Sequence, residues 1–160
     1  MSIKFFVLLF LYISLYGSEV LGRIDKFDFP EFNLENVKVK IDTGAKTSSL
    51  HCVSIKNLKN GFVNFIIFDK SNKKFTGEYI KKKINRIAYV KSSNGVRQKR
   101  IFIKTPVVVL GQQYTVELSL NFRGEMQYPI LIGRELLKQN FIVDVTQKNL
   151  SFKSKVVSPQ

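Results

Sequence analysis

The sequence is poor in the residues that build disulfide and metal sites. Its 160 residues include one cysteine, Cys52, and one histidine, His51. A single cysteine excludes an intramolecular disulfide framework. One histidine and one cysteine cannot supply the three or four ligands of a zinc site, and as neighbours on a strand they would point to opposite faces. A phosphate-binding P-loop is also lacking, so we expect neither a metal nor another cofactor.

Acidic residues are also scarce. There are 12 Asp and Glu against 26 Lys and Arg, which leaves a net charge of +14. Such an excess favours acidic partners, although an ordinary basic, solvated surface explains it equally well. A platform that stacks nucleic acid bases requires aromatic residues among the basic ones, and this sequence has few in such positions. We therefore expect no nucleic acid partner.

The N-terminal segment differs from the rest of the chain. Lys4 precedes the apolar run 5–16, which has 12 residues. A membrane-spanning helix needs about 20 apolar residues, so the run is better suited to a signal peptide. Val20 and Gly22 fit the −3 and −1 positions of a cleavage site. We expect residues 1–22 to be a signal peptide that exports the protein to the periplasm or outside the cell. The alternative is an uncleaved anchor, and only then would the protein contact a membrane.

The remaining chain has the length of one domain, which we place at residues 23–155. Residues 37–41 alternate apolar and polar side chains, as a half-buried strand does. Asn94-Gly95 between two strand-like runs is a strong hairpin signal. The lysine-rich residues 69–86 predict an exposed loop or edge hairpin. The full pattern predicts one helix at 134–139 and strands at 37–41, 62–68, 87–91, 96–104, 107–110, 114–120, 130–132 and 141–145. The fold class is therefore all-β with one short helix.

One candidate site is an aspartate at the exit of a predicted strand. Asp42 follows the strand 37–41 directly and begins the triplet Asp42-Thr43-Gly44. Glycine lets the backbone turn sharply there, and the Thr43 hydroxyl can bond to a neighbouring loop. The triplet alone is weak, because Asp-Thr-Gly is also an ordinary turn.

A second segment changes this interpretation. About 90 residues after Asp42, the apolar triplet 130–132 is followed by Gly133, Arg134 and the predicted helix. Two predicted hairpins lie between the segments. In this order of parts the chain resembles the retroviral proteases, or retropepsins, which have an Asp-Thr-Gly-Ala loop, a flap hairpin and a Gly-Arg segment that opens a single helix.

The chain is more similar to a group of bacterial retropepsin-like proteins often labelled ATP-dependent zinc proteases. The resemblance covers residues 23 to about 153, and its motifs lie at 40–51, 90–95, 104–106 and 131–134. It implies a retropepsin-like closed β-barrel, the half of an acid protease, with one short C-terminal helix. It also implies an aspartic endopeptidase that works as a homodimer on peptide or protein substrates, without the zinc or ATP of the label.

The resemblance assigns roles to individual residues. Asp42 of each chain would activate a water for peptide-bond hydrolysis. The remaining assignments are loop support by Thr43, Gly44 and Ala45, a flap tip at Ser93, Asn94 and Gly95, and a Gly-Arg segment of Ile132, Gly133 and Arg134.

One position departs from the retroviral pattern. Those enzymes carry an acidic residue after the Asp-Thr-Gly-Ala loop, which pairs with the arginine of the Gly-Arg segment, whereas this chain has Lys46. The resemblance therefore leaves Arg134 without that partner. With Arg97, Lys99 and Arg100 on the returning flap strand, Lys46 favours an acidic substrate, and Lys46 and Arg97 are candidate contacts to its charge. The alternative for the three flap residues is a solvated face. Some bacterial relatives are associated with ligases that add glutamate tails, a cytoplasmic role that conflicts with export.

Two alternatives stay open. The chain could be a non-catalytic module of retropepsin fold that holds a peptide or protein without cutting it. It could also be a basic β-domain that binds an anionic polymer, with Asp42-Thr43-Gly44 as a turn.

Overall fold

The computed structural model describes residues 17–58, 60–68, 72–91, 95–122 and 127–157. A short 3-10 turn spans Pro30–Phe32. The two helices are α1 (Arg134–Leu137) and α2 (Leu150–Val157). The strands are β1 (Glu19–Gly22), β2 (Ile24–Phe29), β3 (Leu34–Ile41), β4 (Ser48–Asn57), β5 (Phe62–Ile67), β6 (Ile80–Lys83), β7 (Arg86–Lys91), β8 (Arg97–Val109), β9 (Gln112–Asn121), β10 (Ile130–Ile132) and β11 (Phe141–Asp144).

Six strands close into a barrel in the order β10-β3-β2-β8-β9-β4, and the pairing of β4 with β10 completes the ring. Closure follows from the alternating pattern of the strands, because one face of each can be buried only against the others. In β3, for example, Val37, Val39 and Ile41 are buried and the lysines between them are exposed. The predicted all-β closed barrel is confirmed.

One long strand replaces two predicted ones. The sequence analysis separated strands 96–104 and 107–110, whereas β8 runs unbroken from Arg97 to Val109 through Pro106. A proline removes one ladder donor, which is tolerated where a strand is paired on one side only. Around Pro106, β8 pairs with β9, and β2 joins it only at Val108. The strand therefore serves both hairpins, first with β7 and then with β9.

The lysine-rich segment 69–86 contributes an edge. Its last part forms β6, which pairs with β5 at the end of the sheet and is followed by β7. This agrees with the edge-hairpin interpretation, while residues 69–71 lie outside the described part. Exposed lysines on an edge strand also disfavour pairing with a foreign strand.

The fold begins before the predicted boundary at Arg23. Residues 1–16 of the predicted signal peptide lie outside the described part, but its last four residues form β1, which pairs in parallel with β11. Leu21 of this strand is fully buried. Pattern reasoning missed β1 because four residues are too few to show a period.

The structure also adds a helix. The predicted helix after Gly133 is present as α1, and α2 follows it and packs on β2. The buried carboxylate of Asp25 accepts the N–H groups of Ser151 and Phe152 in the first turn of α2. A partner distant in sequence thus satisfies donors that a helix start leaves open. Among the described residues, no helix is long and apolar enough to cross a membrane.

Candidate active site

The Asp42 loop leaves the barrel between two strands that share a neighbour. Residues 42–47 connect β3 to β4, and β10 pairs in parallel with β3 and antiparallel with β4. The Asp42 N–H donates to the Ile132 carbonyl at 2.8 Å, which extends the β3–β10 ladder by one bond. The loop therefore starts from a fixed backbone position.

The Asp42 carboxylate is held by its own loop. Its Oδ1 atom accepts the Gly44 N–H at 3.1 Å and the Ala45 N–H at 3.3 Å. The Ala45 N–H also lies 3.2 Å from the Asp42 carbonyl, which closes the turn. Aspartate commonly bonds the backbone two residues on in such turns. Here the bonds orient a half-buried carboxylate at the exit of a strand.

The first turn of α1 fastens the far side of the loop. The Arg134 N–H donates to the Ala45 carbonyl at 2.9 Å, and the Glu135 N–H donates to the Lys46 carbonyl at 3.0 Å. The N–H groups of a helix start have no partner inside the helix. In α1 the loop carbonyls are those partners, so loop and helix satisfy each other.

The Arg134 side chain completes this clamp. Its Nη1 atom donates to the carbonyls of Thr43 and Gly44, both at 2.8 Å. The retroviral pattern predicts that Arg134 lacks its acidic partner, because Lys46 replaces the acid. In the structure the guanidinium instead bonds the backbone of the aspartate loop itself.

Gly133 permits the close approach of the two segments. A Cβ atom at this position would lie 2.6 Å from the Thr47 carbonyl carbon, 2.7 Å from its oxygen and 3.1 Å from the Ala45 oxygen. All three are backbone atoms, which cannot rotate away as a side chain could. Glycine is therefore required here for space rather than for an unusual backbone angle.

Two buried serines support this contact and were missed by the sequence analysis. The Gly133 N–H donates to Oγ of Ser48, and the Ser119 hydroxyl donates to the Ser48 carbonyl at 3.1 Å. Ser48 lies inside the motif 40–51 that carries the resemblance. Its role is invisible in the sequence because Gly133 is 85 residues away.

The hairpin to which the resemblance assigns the flap is present. β7 and β8 pair in register from Arg86 with Phe102 to Lys91 with Arg97. Of the predicted tip, Ser93 and Asn94 lie outside the described residues. Gly95 has φ +84, a backbone angle that favours glycine.

The basic residues near the predicted site differ in their surroundings. Lys46, Arg97 and Lys99 are exposed, whereas Arg100 is only 8% exposed and its Nη2 donates to Oε1 of Gln98. The solvated-face interpretation is therefore wrong for Arg100. Lys99 and Arg100 line an open cleft of about 540 Å³ between the flap strand and the end of β9. Among the described contacts, none joins the side chain of Lys46 or Arg97 to Asp42.

His51 and Cys52 lie in β4 and are both buried. Burial raises the pKa of the Cys52 thiol well above its ordinary range, which makes it a poor nucleophile and a poor metal ligand. Within the described ranges, no group of three or more His, Cys, Asp or Glu side chains is placed to hold a metal ion.

The chain is similar to several known proteins. The chain is 30% identical over 132 residues to a probable alpha-L-glutamate ligase of Shewanella pealeana, and 31% identical over 132 residues to that of Shewanella halifaxensis. Each match covers 80% of this chain and 29% of the relative, so the chain spans less than a third of the length of these curated relatives. A crystal structure of a protein of unknown function from Legionella pneumophila matches with a TM-score of 0.67 and 23% identity. That match covers 83% of this chain and 98% of the other, and it shows a shared fold.

A family model decides the assignment. The model described as retropepsin-like aspartic endopeptidase RimB matches residues 20–154, which include the aspartate loop, the flap hairpin and the Gly-Arg segment. The resemblance seen in the sequence is thereby confirmed. With its barrel, its single clamped Asp42 loop and this match, the chain belongs to the RimB-like family of retropepsin-like proteins.

Proposed function

We propose that the protein is an aspartic endopeptidase that acts as a homodimer. The observation that carries the proposal is the clamp around Asp42. Backbone N–H groups of its own loop orient the carboxylate, and the loop is bonded on its far side by the α1 start and by the Arg134 guanidinium. An ordinary solvent-exposed turn has no need of these distant bonds. A catalytic group must be held close to its reacting geometry, which is what they achieve.

The chemistry requires two copies. One chain carries one such loop, so the site is complete only when a two-fold axis brings two Asp42 residues together. Two carboxylates about 3 Å apart cannot both stay ionised, and they share one proton. A water attacks the scissile carbonyl carbon and gives a proton to the ionised carboxylate. The protonated carboxyl of the other Asp42 donates its proton to the carbonyl oxygen. The C–N bond then breaks, and the amine leaves with a proton from the pair.

The flap hairpin supplies the second wall of the substrate site. A peptide held between β7–β8 and the Asp42 loop would bind in extended form, with main-chain hydrogen bonds like those of an added strand. Closure of such a hairpin over the site excludes water.

An acidic peptide is the substrate class that the charges favour. Lys46 follows the aspartate loop, and Arg97 lies near the flap tip, both exposed and both able to meet a carboxylate. The glutamate ligases among the relatives are named for chemistry on glutamate. A glutamate-rich peptide is therefore the first substrate to test.

The decisive experiment compares two aspartate variants on peptide libraries, one diverse and one rich in glutamate, from pH 3 to 8. Asp42→Asn removes the ionisable group and keeps the shape, so all cleavage should disappear. Asp144→Asn is the matched control, because Asp144 is also half-buried at the end of a strand and accepts the Thr146 N–H through Oδ1. This control should cut as the unchanged protein does.

Two outcomes would overturn the proposal. Cleavage that survives Asp42→Asn would show that another group does the chemistry. A strict monomer in sedimentation at high concentration, with peptide bound, would exclude a two-chain site. Binding of peptide without cleavage by a dimer would support the non-catalytic module instead.

Export remains a separate proposal. It rests on the apolar run 5–16, which follows Lys4 and has the length of a signal-peptide core. Fractionation of cells that express the full chain tests it independently of activity.

A further inference from the structure

The predicted cleavage site lies inside the fold. β1 pairs with β11 at four consecutive positions, from Glu19 with Phe141 to Gly22 with Asp144. Leu21 is fully buried in the main core, and Val143 packs against that core. Removal of residues 1–22 would delete this strand and leave both a gap in the core and an unpaired edge on β11.

Glu19, the first residue of β1, is also tied to the domain. Its N–H donates to the Asn140 carbonyl at 2.9 Å. Its carboxylate accepts from the Tyr114 hydroxyl at 3.1 Å and from Nε2 of Gln112 at 3.2 Å. Burial, with the negative charge of Glu19 second, raises the pKa of Tyr114. These contacts join the strand to the β8–β9 hairpin as well as to β11.

The bond after Gly22 is embedded in backbone pairing. The Arg23 N–H donates to the Gln147 carbonyl at 3.0 Å, and the Arg23 carbonyl accepts from Ile41 at 3.1 Å. A Cβ on Gly22 would lie 2.5 Å from the Gln147 oxygen and 2.8 Å from the Lys148 Cα. Packing thus explains the small residue that the sequence analysis assigned to the −1 position of a cleavage site.

Gly17 differs in the space around a side chain, while its carbonyl accepts a hydrogen bond from Nδ2 of Asn140 at 3.1 Å. A Cβ at this position would meet nothing within 4 Å, so packing does not demand a small residue there. It directly follows the apolar run 5–16 and precedes β1 by one residue, Ser18. Gly17 supplies the small residue that a signal peptidase recognises at −1 after an apolar run of this length, and Leu15 stands at −3.

We propose that the exported chain is processed at the Gly17–Ser18 bond, so that β1 stays with the mature protein. A signal peptidase would add one water across this bond, leaving a carboxylate on Gly17 and an amino group on Ser18. The proposal rests on export, and it does not depend on whether Asp42 is catalytic.

The test uses the full chain, expressed in a bacterium, with Edman sequencing and intact mass of the protein from the periplasm. The unchanged protein should begin at Ser18. Two variants carry the same substitution at rival positions. Gly17→Gln places a long side chain at −1 of the proposed bond, where a Cβ meets nothing within 4 Å. Val20→Gln places it at −3 of the rival bond, at a strand position that is 42% exposed.

Gly17→Gln should accumulate the unprocessed precursor at least tenfold, and Val20→Gln should be processed as the unchanged protein is. The opposite result, or a mature protein that begins at Arg23, would overturn the proposal. A chain that keeps residues 1–16 when it reaches the membrane or periplasm, or that never leaves the cytoplasm, would overturn it as well. Neither result bears on cleavage by Asp42, which is measured on the purified protein.

Discussion

Gly133→Ala is the sharpest test of the clamp, because it adds one methyl group where the aspartate loop and α1 meet. Carbon atoms pack best at about 3.5 Å or more, whereas the new Cβ would lie 2.6 Å from the Thr47 carbonyl carbon. The two backbones must therefore separate by roughly 0.9 Å. The glycine has φ −94 and ψ 175, which alanine adopts without strain, so the clash is the whole perturbation of the folded state.

The expected loss of stability follows from two terms. Overpacking against backbone costs about 3 kcal/mol, at the upper end of the usual range. Alanine restricts the unfolded chain and so returns about 0.7 kcal/mol. The net loss is about 2 kcal/mol, or a Tm lower by roughly 4 to 8 °C for a chain of this size. Calorimetry on the purified protein measures it.

The loss of catalytic rate should exceed the loss expected from the lower stability alone. Separation of the backbones moves the loop carbonyls that Arg134 bonds, and a displacement of about 1 Å at a catalytic group can cost about 100-fold in rate. Gly22→Ala is the control, since its Cβ would lie 2.5 Å from the Gln147 oxygen, at the β1 end of the domain. This control should melt lower by a similar amount and keep its kcat/KM below the transition. A Gly133→Ala protein that melts within 1 °C of the unchanged protein and cuts equally well would refute the clamp.

Two further predictions concern stability. Asp25→Ala leaves the N–H groups of Ser151 and Phe152 without their carboxylate, so urea denaturation should show a loss of about 2 kcal/mol, and a loss below about 0.5 kcal/mol would contradict the capping role. Arg86→Met removes the bidentate partner of Glu117. Desolvation alone would raise the pKa of Glu117, but the bonds from Arg86 and Asn85 outweigh it and the net pKa is lowered. The Arg86 contribution, about 1 kcal/mol for this partly exposed pair, should be complete above pH 4.5 and fade as the pH falls through the lowered folded pKa, whereas a pH-independent difference would contradict it.

The two Shewanella relatives are named as probable glutamate ligases, and this chain spans less than a third of their length. Their names therefore assign no cellular role to this chain. If the protein is exported, it acts outside the cytoplasm. Fractionation together with the glutamate-rich library would show whether its substrates are acidic and where it meets them.

Local patterns predicted the elements that repeat a simple period. The alternation in 37–41 and the hairpin signal at Asn94-Gly95 led to β3 and to the β7–β8 hairpin. Short or irregular elements such as β1 and α2 were missed, because four residues show no period and α2 has weak amphipathic character. The predicted end of the signal peptide at Gly22 rests on a local signal of the same kind. The small residue at Gly22 fits a peptidase site in sequence and a close backbone contact in the fold, and only the fold distinguishes them.

The sequence by itself determined the chemistry that is available: one Asp-Thr-Gly-Ala loop at the end of a strand, a basic chain, and too few cysteines and histidines for a metal site. The tertiary structure decided how that loop is held. The Arg134 guanidinium bonds carbonyls 90 and 91 residues away, and Gly133 reaches Ser48 across 85 residues. Contacts at such separations arise from closure of the barrel, which brings β10 between β3 and β4, and no local pattern encodes them.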